Sequence, residues 1–509
     1  WINTMMIAPP VHITAVSSGD DSFFERISFL THGIRTLGYD VTSAHAQLNP
    51  NAINIVLGSH TPASPLSSWT RLSQQASDII IYNWEQVANE ATCFNQRYIR
   101  QMIHTHVWDA HLSNVHALMH AGVRDIHHVP MSYVADMHRE STVTEQDIDV
   151  LLYGLMRPRH QATLDALRAK GLNVQVAAQP KGLTDEGCSA LIARSKIILN
   201  MHRFDAAKAI ETAYIACPLA NHKAVVVETS TETDNDDDMH SAILCGHTEQ
   251  LPQLCWDLVH DDARRHDMER NGFELFSQRN AARTLKPAIE RYLAQSKLTP
   301  PEIGNLIDHS VALPTTLQLG AGEAWHYSYC NMDACADFAP DLPIDISAPL
   351  PFGQPLSSWR FGQTMLEPAY FDKIIAKDVF QRVKNFKQSL KNCLDLLKEG
   401  GTLHISVPLD LSYDAWSHID DRRAFNDTTW EHIVNDFWLY EFNTHRFEII
   451  ETGYGVNNAY GVAVLTDNGG DWVAGRRTPR VVDRQNLVLR KRALNDEDRG
   501  FLLQPRFMD

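Results

Sequence analysis

The stretch Val11-His12-Ile13-Thr14-Ala15-Val16-Ser17-Ser18-Gly19-Asp20-Asp21, followed by Phe23 to Leu37, decides how the chain is read. A β-branched run ends in a polar glycine loop, and apolar residues then recur at helical spacing, which is strand, loop, helix. Gly38-Tyr39-Asp40-Val41 closes the helix and opens a second strand, Ala52 to Leu57 gives a third, and Ile79-Ile80-Ile81-Tyr82-Asn83 a fourth. Three consecutive isoleucines fit a parallel strand buried on both faces. From about Asp147 the alternation restarts. Strands are predicted at Asp149 to Gly154, Leu172 to Val176, Ser195 to Met201 and Lys223 to Val227, with helices at Gln161 to Lys170 and Ala206 to Ala216. A helix-rich stretch from Leu251 to Leu293 closes this half, with Asn271-Gly272 as its clearest break. Two consecutive α/β units leave a cleft at the carboxyl ends of their strands, where ligands bind.

Working outward, Ser296 to His309 carries Pro300-Pro301 and few apolar anchors and reads as a linker. A third α/β unit follows. Thr315-Thr316-Leu317-Gln318-Leu319 runs into Gly320-Ala321-Gly322, and Asp333 lies further on, at the end of the next strand. Phe371 to Ala376 reads as a strand, Phe386 to Leu397 as a helix, Glu399-Gly400-Gly401 as a turn and Thr402 to Val407 as a strand. Phe447 to Thr452, Gly461 to Leu465 and Asn486 to Arg490 read as three more. The expected fold is therefore α/β, with lobes at 9–146 and 147–295, a linker at 296–310, a third Rossmann-like domain at 311–492 and a tail at 493–509.

Composition limits the functions on offer. The 509 residues are 44% apolar and 21% charged, as in folded globular chains. Lys plus Arg is 45 against 62 for Asp plus Glu, a net charge of −17, which disfavours long-range attraction to nucleic acid or anionic lipid. No apolar run reaches the roughly 18 residues of a membrane span. Trp1 to Met6 lacks a basic region followed by a long apolar one, and the natural start is expected at Met5 or Met6. The eight cysteines form no Cys-x-x-Cys pair, so reduced thiols in a cytoplasm are expected. Twenty-five histidines include the pairs His104/His106 and His127/His128, but neither has a third partner at a familiar spacing, and no metal is expected. Asp234-Asn235-Asp236-Asp237-Asp238 lacks the glycine and glutamate of a calcium loop and reads as an exposed acidic loop.

A strand running into Gly-x-Gly lets backbone approach a ligand, and an acid at the end of the next strand can accept both hydroxyls of a ribose. Leu317-Gln318-Leu319-Gly320-Ala321-Gly322, Asn331-Met332-Asp333 and Asp345-Ile346-Ser347 with Pro349-Leu350-Pro351-Phe352 resemble the class I S-adenosylmethionine-dependent methyltransferases, over about Val311 to Arg492. The resemblance implies that Gly320 and Gly322 pass the methionine moiety, Asp333 holds the ribose and Asp345 with Ile346 lies beside the adenine of an S-adenosylmethionine cofactor. The sequence departs from that family at Phe380-Gln381-Arg382, where many relatives carry glutamate-histidine, and in the bulky loop Trp325-His326-Tyr327.

The first two units resemble the GT-B-fold glycosyltransferases over roughly residues 9 to 295. The resemblance rests on Ile80-Ile81-Tyr82-Asn83-Trp84-Glu85-Gln86, Val107-Trp108-Asp109 with Ser113-Asn114, Tyr153-Gly154 with Arg157 and Arg159, Ser195 to His202, Glu211-Thr212 and Val225-Val226-Val227-Glu228. A nucleotide-sugar diphosphate needs cations and helix amino-terminal N–H groups, which Arg157, Arg159 and the helix start near Ala207 would supply. Gly154, Asn200, His202 and Thr212 are placed at the same donor site, and Glu211 would accept ribose hydroxyls, as the family's helix glutamate does. Asp20 in the first loop, or Asp109, is the candidate base for the acceptor hydroxyl; Asp109 with Ser113-Asn114 also reads as a helix pin.

The leading expectation is a bifunctional transferase that moves a sugar from a nucleotide-sugar donor to a glycan, protein or small-molecule acceptor and methylates acceptor or sugar. A non-catalytic methyltransferase-like domain that recognises the acceptor or holds a homodimer is the alternative. Nucleic-acid modification ranks last because a basic stripe is missing.

Overall fold

The computed structural model describes residues 9–16, 23–60, 78–87, 93–138, 145–154, 156–178, 186–202, 210–229, 237–296, 312–426 and 428–502. The chain divides into two compact units, Trp1–Ile303 and Gly304–Asp509. The expected α/β class and three Rossmann-like sheets are present.

The first unit holds two parallel sheets. In one, β1 (Val11–Ala15), β2 (Val41–His45), β3 (Ile53–Leu57), β4 (Ile79–Asn83), β5 (His106–Asp109) and β6 (Ile126–His128) lie in the order β2-β1-β3-β4-β5-β6. Every residue of β1, β3 and β4 is buried, as the isoleucine runs predict for strands covered on both faces. The second sheet is β11-β10-β9-β7-β8, built from β7 (Ile148–Gly154), β8 (Val174–Ala178), β9 (Ser195–Asn200), β10 (Ala224–Glu228) and β11 (Leu244–Gly246). One apolar cluster joins both lobes, from Trp108 and Tyr82 to Ile198, Ile215 and Leu285.

The last helix of this unit, Ala281–Ser296, returns to the first lobe. It crosses the first helix, Phe24–Thr36, at Gly33, where a Cβ would stand 2.7 Å from Leu285 Cδ1. Tyr292 donates to Asp78 Oδ1 at 3.0 Å, at the amino end of β4. The expected break at Asn271-Gly272 is absent, and Asp262–Gln278 is one helix. Gly272 is there for close approach: a Cβ would meet Leu219 Cδ2 at 2.9 Å and the Ala242 carbonyl at 3.0 Å.

The second unit carries a mixed sheet, β13-β12-β16-β17-β19-β18, from β12 (Thr316–Leu319), β13 (Cys330–Met332), β16 (Phe371–Lys377), β17 (Leu397–Pro408), β18 (His445–Gly455) and β19 (Arg484–Ala493). The first four strands are parallel, and β19 runs antiparallel to both β17 and β18. A separate hairpin joins β14 (Leu356–Ser358) and β15 (Gly362–Thr364). Gly461 to Leu465, expected as a strand, is helical within Ala459–Asp467. Asn458 caps that helix by accepting from Gly461 N at 2.6 Å, and Gly461 has no room for a Cβ beside the Val481 carbonyl. The expected tail contains the helix Asp496–Leu502, fixed by Asp498, which accepts from Arg446 at 2.7 Å and Arg492 at 2.6 Å.

Between β12 and β13 the described chain forms a 3-10 turn, Gly322–Ala324, and an aromatic loop rather than an α-helix. A buried ion pair holds that loop. Arg360 reaches Asp341 at 2.6 Å and donates to the carbonyls of Tyr327 and Tyr329. Asn331 ties the same loop by accepting from His326 N at 2.9 Å, while its own N–H groups go to Asp341 and to the carbonyls of His326 and Tyr329.

Candidate functional site

In the second lobe the carboxyl ends of β7, β9 and β10 converge with the start of the helix Thr212–Ala220. β7 ends at Gly154, whose φ is +139°; a Cβ there would meet Asn200 Nδ2 at 3.5 Å and the Tyr214 ring at 3.8 Å. Asn200 ends β9 and donates to the Tyr153 carbonyl at 3.3 Å. Asn200, His202 and Thr212 are 1%, 3% and 3% exposed, and Asn200 Oδ1, His202 Nε2 and Thr212 Oγ1 have no hydrogen-bond partner among the described residues. A buried polar atom left unpaired costs about 1–3 kcal/mol, so several in one place mark a site built for something else to bind.

The two arginines separate. Arg159 is committed to Glu228 through a bidentate pair, at 2.8 Å to Oε2 and 2.7 Å to Oε1, and also donates to the His202 carbonyl at 2.8 Å. Arg159, expected as a cation presented to a diphosphate, thus has its charge met by Glu228. Burial alone would raise the Glu228 carboxyl, but hydrogen bonds from Arg159 and Thr248 outweigh it and hold its pKa down at about 2. Arg157 is half-buried, and no described carboxylate pairs with it.

Glu211 also differs from expectation. The helix begins at Thr212, so Glu211 is the residue before it, with non-helical backbone. Its Oε1 accepts from Gln86 Nε2 at 3.1 Å, across from the first lobe. The helix runs on to Ala220 through Pro218, so the expected span of 206–216 is shifted towards the carboxyl end; residues 203–209 lie outside the described residues.

In the first lobe Asp109 is fully buried, which corrects its candidacy as a base facing an acceptor. Its Oδ2 accepts from Asn83 Nδ2 at 2.7 Å, and its Oδ1 from His111 N at 2.8 Å and Asn114 Nδ2 at 3.0 Å. Asn83 and Asn114 both donate to the Glu85 carbonyl, at 2.9 and 2.8 Å, and Val87 N donates to Asn114 Oδ1 at 2.9 Å. Asp109 thus shapes the loop that presents Gln86 to Glu211. Asp20 lies outside the described residues, as does most of the acidic run and the expected linker.

His106, Asp125 and His127 bring three potential ligand atoms within 4.8 Å of one another, a juxtaposition that residue spacing did not reveal. Arg291 donates to His127 Nδ1 at 2.8 Å, which leaves the ring proton on Nε2, directed at Asp125 Oδ1 at 3.0 Å. The trio is wired as a hydrogen-bonded anchor for the returning helix.

In the second unit Gly320 and Gly322 follow β12 with φ of +57° and +46°, and a Cβ on Gly320 would stand 2.8 Å from Val379 Cγ2. Asp333, just past β13, accepts from Gly322 N at 3.0 Å and Cys335 N at 2.8 Å, which fixes the half-buried carboxylate at the rim of the glycine loop. Asp345 accepts from Ser347 N at 2.8 Å and Ser347 Oγ at 2.7 Å, and the buried Ile346 is set by Asn392 Nδ2, which donates to its carbonyl at 2.7 Å. A glycine cradle, a rim carboxylate and an apolar wall fit the methionine, ribose and adenine roles expected for S-adenosylmethionine. The departing Phe380-Gln381-Arg382 segment is tied to 418–425, through Arg422 N to the Gln381 carbonyl at 2.8 Å and Arg423 to the carbonyls of Phe380 and Val383.

No protein-family model matches the chain, and no curated protein matches its sequence. Among solved structures, HepE of Anabaena in complex with UDP and glucose is similar at 12% identity and a TM-score of 0.41, covering 57% of this chain and 100% of that chain. WaaG, a glycosyltransferase involved in lipopolysaccharide biosynthesis, is similar at 10% identity and a TM-score of 0.39, covering 55% of this chain and 99% of that chain. A putative S-adenosylmethionine dependent methyltransferase from Listeria monocytogenes is 13% identical with a TM-score of 0.22, covering 40% of this chain and 99% of that chain.

Proposed function

We propose that this chain is a bifunctional transferase whose first unit moves a sugar from a nucleotide-sugar donor to a glycan or glycoconjugate acceptor. The observation that carries the reading is the set of unpaired buried atoms on Asn200, His202 and Thr212 at the carboxyl ends of parallel strands. Arg157, three residues past the end of β7, would supply a cation there, and Glu211 a carboxylate at the helix start suited to ribose hydroxyls. In the second unit Gly320, Gly322, Asp333, Asp345 and Ile346 would hold S-adenosylmethionine, which supplies an activated methyl group. This chain's own residues orient it. None of the eight cysteines is in a disulfide, which suits a reducing cytoplasm. No described helix is long and apolar enough to cross a membrane.

The second reading keeps the glycosyltransferase and makes the second unit a non-catalytic acceptor-binding or dimerisation scaffold. The aromatic loop that stands in place of a helix between β12 and β13 favours it. Calorimetry with S-adenosylhomocysteine decides between the two. Micromolar binding lost in Asp333→Ala supports the enzyme, and absent or millimolar binding supports the scaffold.

A further inference from the structure

His202, two residues past the end of β9, is held through both its backbone N–H and its carbonyl. Its N–H donates to Glu228 Oε2 at 2.8 Å. Its carbonyl accepts from two side chains at once, Arg159 Nη1 at 2.8 Å and His160 Nε2 at 2.9 Å. Glu228 is in turn fixed by both guanidinium nitrogens of Arg159 and by Thr248 Oγ1 at 2.5 Å. Four side chains from three segments therefore fix the backbone of one residue, 3% exposed, whose imidazole ends in an Nε2 with no partner among the described residues. A clamp this complete around a group with an unmet hydrogen bond is how a binding contact is preorganised.

Resting on the donor-site reading above, we infer that His202 Nε2 is a hydrogen-bonding contact to the diphosphate or sugar of the donor, and that Arg159 and Glu228 are positioning residues acting through it. Burial lowers the pKa of His202, with Glu228 opposing the effect and Arg159 and His160 adding to it, which favours the neutral ring. The division of labour is then specific. Arg157 is left to serve as the cation, while the charge of Arg159 is met by Glu228.

The test is a double-mutant cycle read by calorimetry, with uridine, guanosine and adenosine diphosphates and their glucose conjugates as probes. For whichever probe the parent binds, His202→Phe is expected to weaken binding about ten-fold, and His202→Gln, which returns an N–H near Nε2, to restore most of it. Arg159→Lys keeps a charge but loses the fork, and is expected to weaken binding to a similar degree, with little further loss in the Arg159→Lys/His202→Phe double variant. Glu228→Gln provides the same comparison if the lysine variant does not fold. Additive losses in the double variant would show that Arg159 touches the ligand itself and overturn the inference. So would a His202→Phe protein that binds as tightly as the parent. A parent that binds none of the probes overturns the donor-site reading, and the inference with it.

Discussion

Arg157 and Arg159 are two residues apart, and nothing in the sequence separates them. Only the fold shows that a glutamate ending the apolar strand Ala224–Glu228 captures one of them. Arg157→Ala is expected to weaken nucleotide diphosphate binding about ten- to a hundred-fold, the worth of a charge-assisted contact, and to leave S-adenosylhomocysteine affinity unchanged. Titration calorimetry of both ligands on one preparation checks this. Asp109 carries the opposite expectation. Since three neutral donors meet its buried carboxylate, Asp109→Ala should lower unfolding stability by about 2–4 kcal/mol in denaturant melts, as those donors lose their acceptor. The Asp-x-x-x-x-Asn spacing of Asp109 and Asn114 did announce a pin. That the pin reaches Asn83 and Glu85 depends on the pairing of β4 with β5, which no local pattern encodes.

At the scale of elements, most strands of the parallel sheets were legible because β-branched runs between polar turns have few other readings. Two misreadings share one cause. Asn271-Gly272 reads as a break and Gly461 as part of a strand, whereas both glycines lie inside helices, where a neighbouring backbone carbonyl crowds the Cβ position. The crossing of the first helix by Ala281–Ser296 depends on a glycine in the same way. Gly33→Leu should therefore destabilise the first unit by about 1–3 kcal/mol through overpacking against Leu285 and Ala281. Denaturant melts resolve this if the transition of the first unit moves and that of the second does not. In the second unit Gly322 has open space at its Cβ position but a φ of +46°, so Gly322→Leu strains the turn without overpacking it: S-adenosylhomocysteine binding should be lost while the rest of the domain stays folded. Unchanged affinity would assign the glycine to the turn alone.

Across the whole molecule, acid sensitivity should follow the buried carboxylates. Glu228 has a folded-state pKa of about 2 against an ordinary 4.5, and Asp498 about 2 against 3.8. Because both are depressed, their stabilisation is fully present above the ordinary values and is lost as pH falls towards 2; for Glu228 it is worth on the order of 3 kcal/mol. Urea melts at pH 7 and pH 3 should show the parent losing more stability on acidification than Glu228→Gln; equal losses would remove Glu228 from the account.

The central claim is a nucleotide-sugar site built by the second lobe, and its most direct measurement is calorimetric titration of nucleoside diphosphates into the parent and into Arg157→Ala. The parent should bind one equivalent of at least one of them, and the variant should bind it about ten- to a hundred-fold more weakly at unchanged stoichiometry. A variant that binds as tightly as the parent would place the site elsewhere, and a parent that binds none would contradict the claim outright.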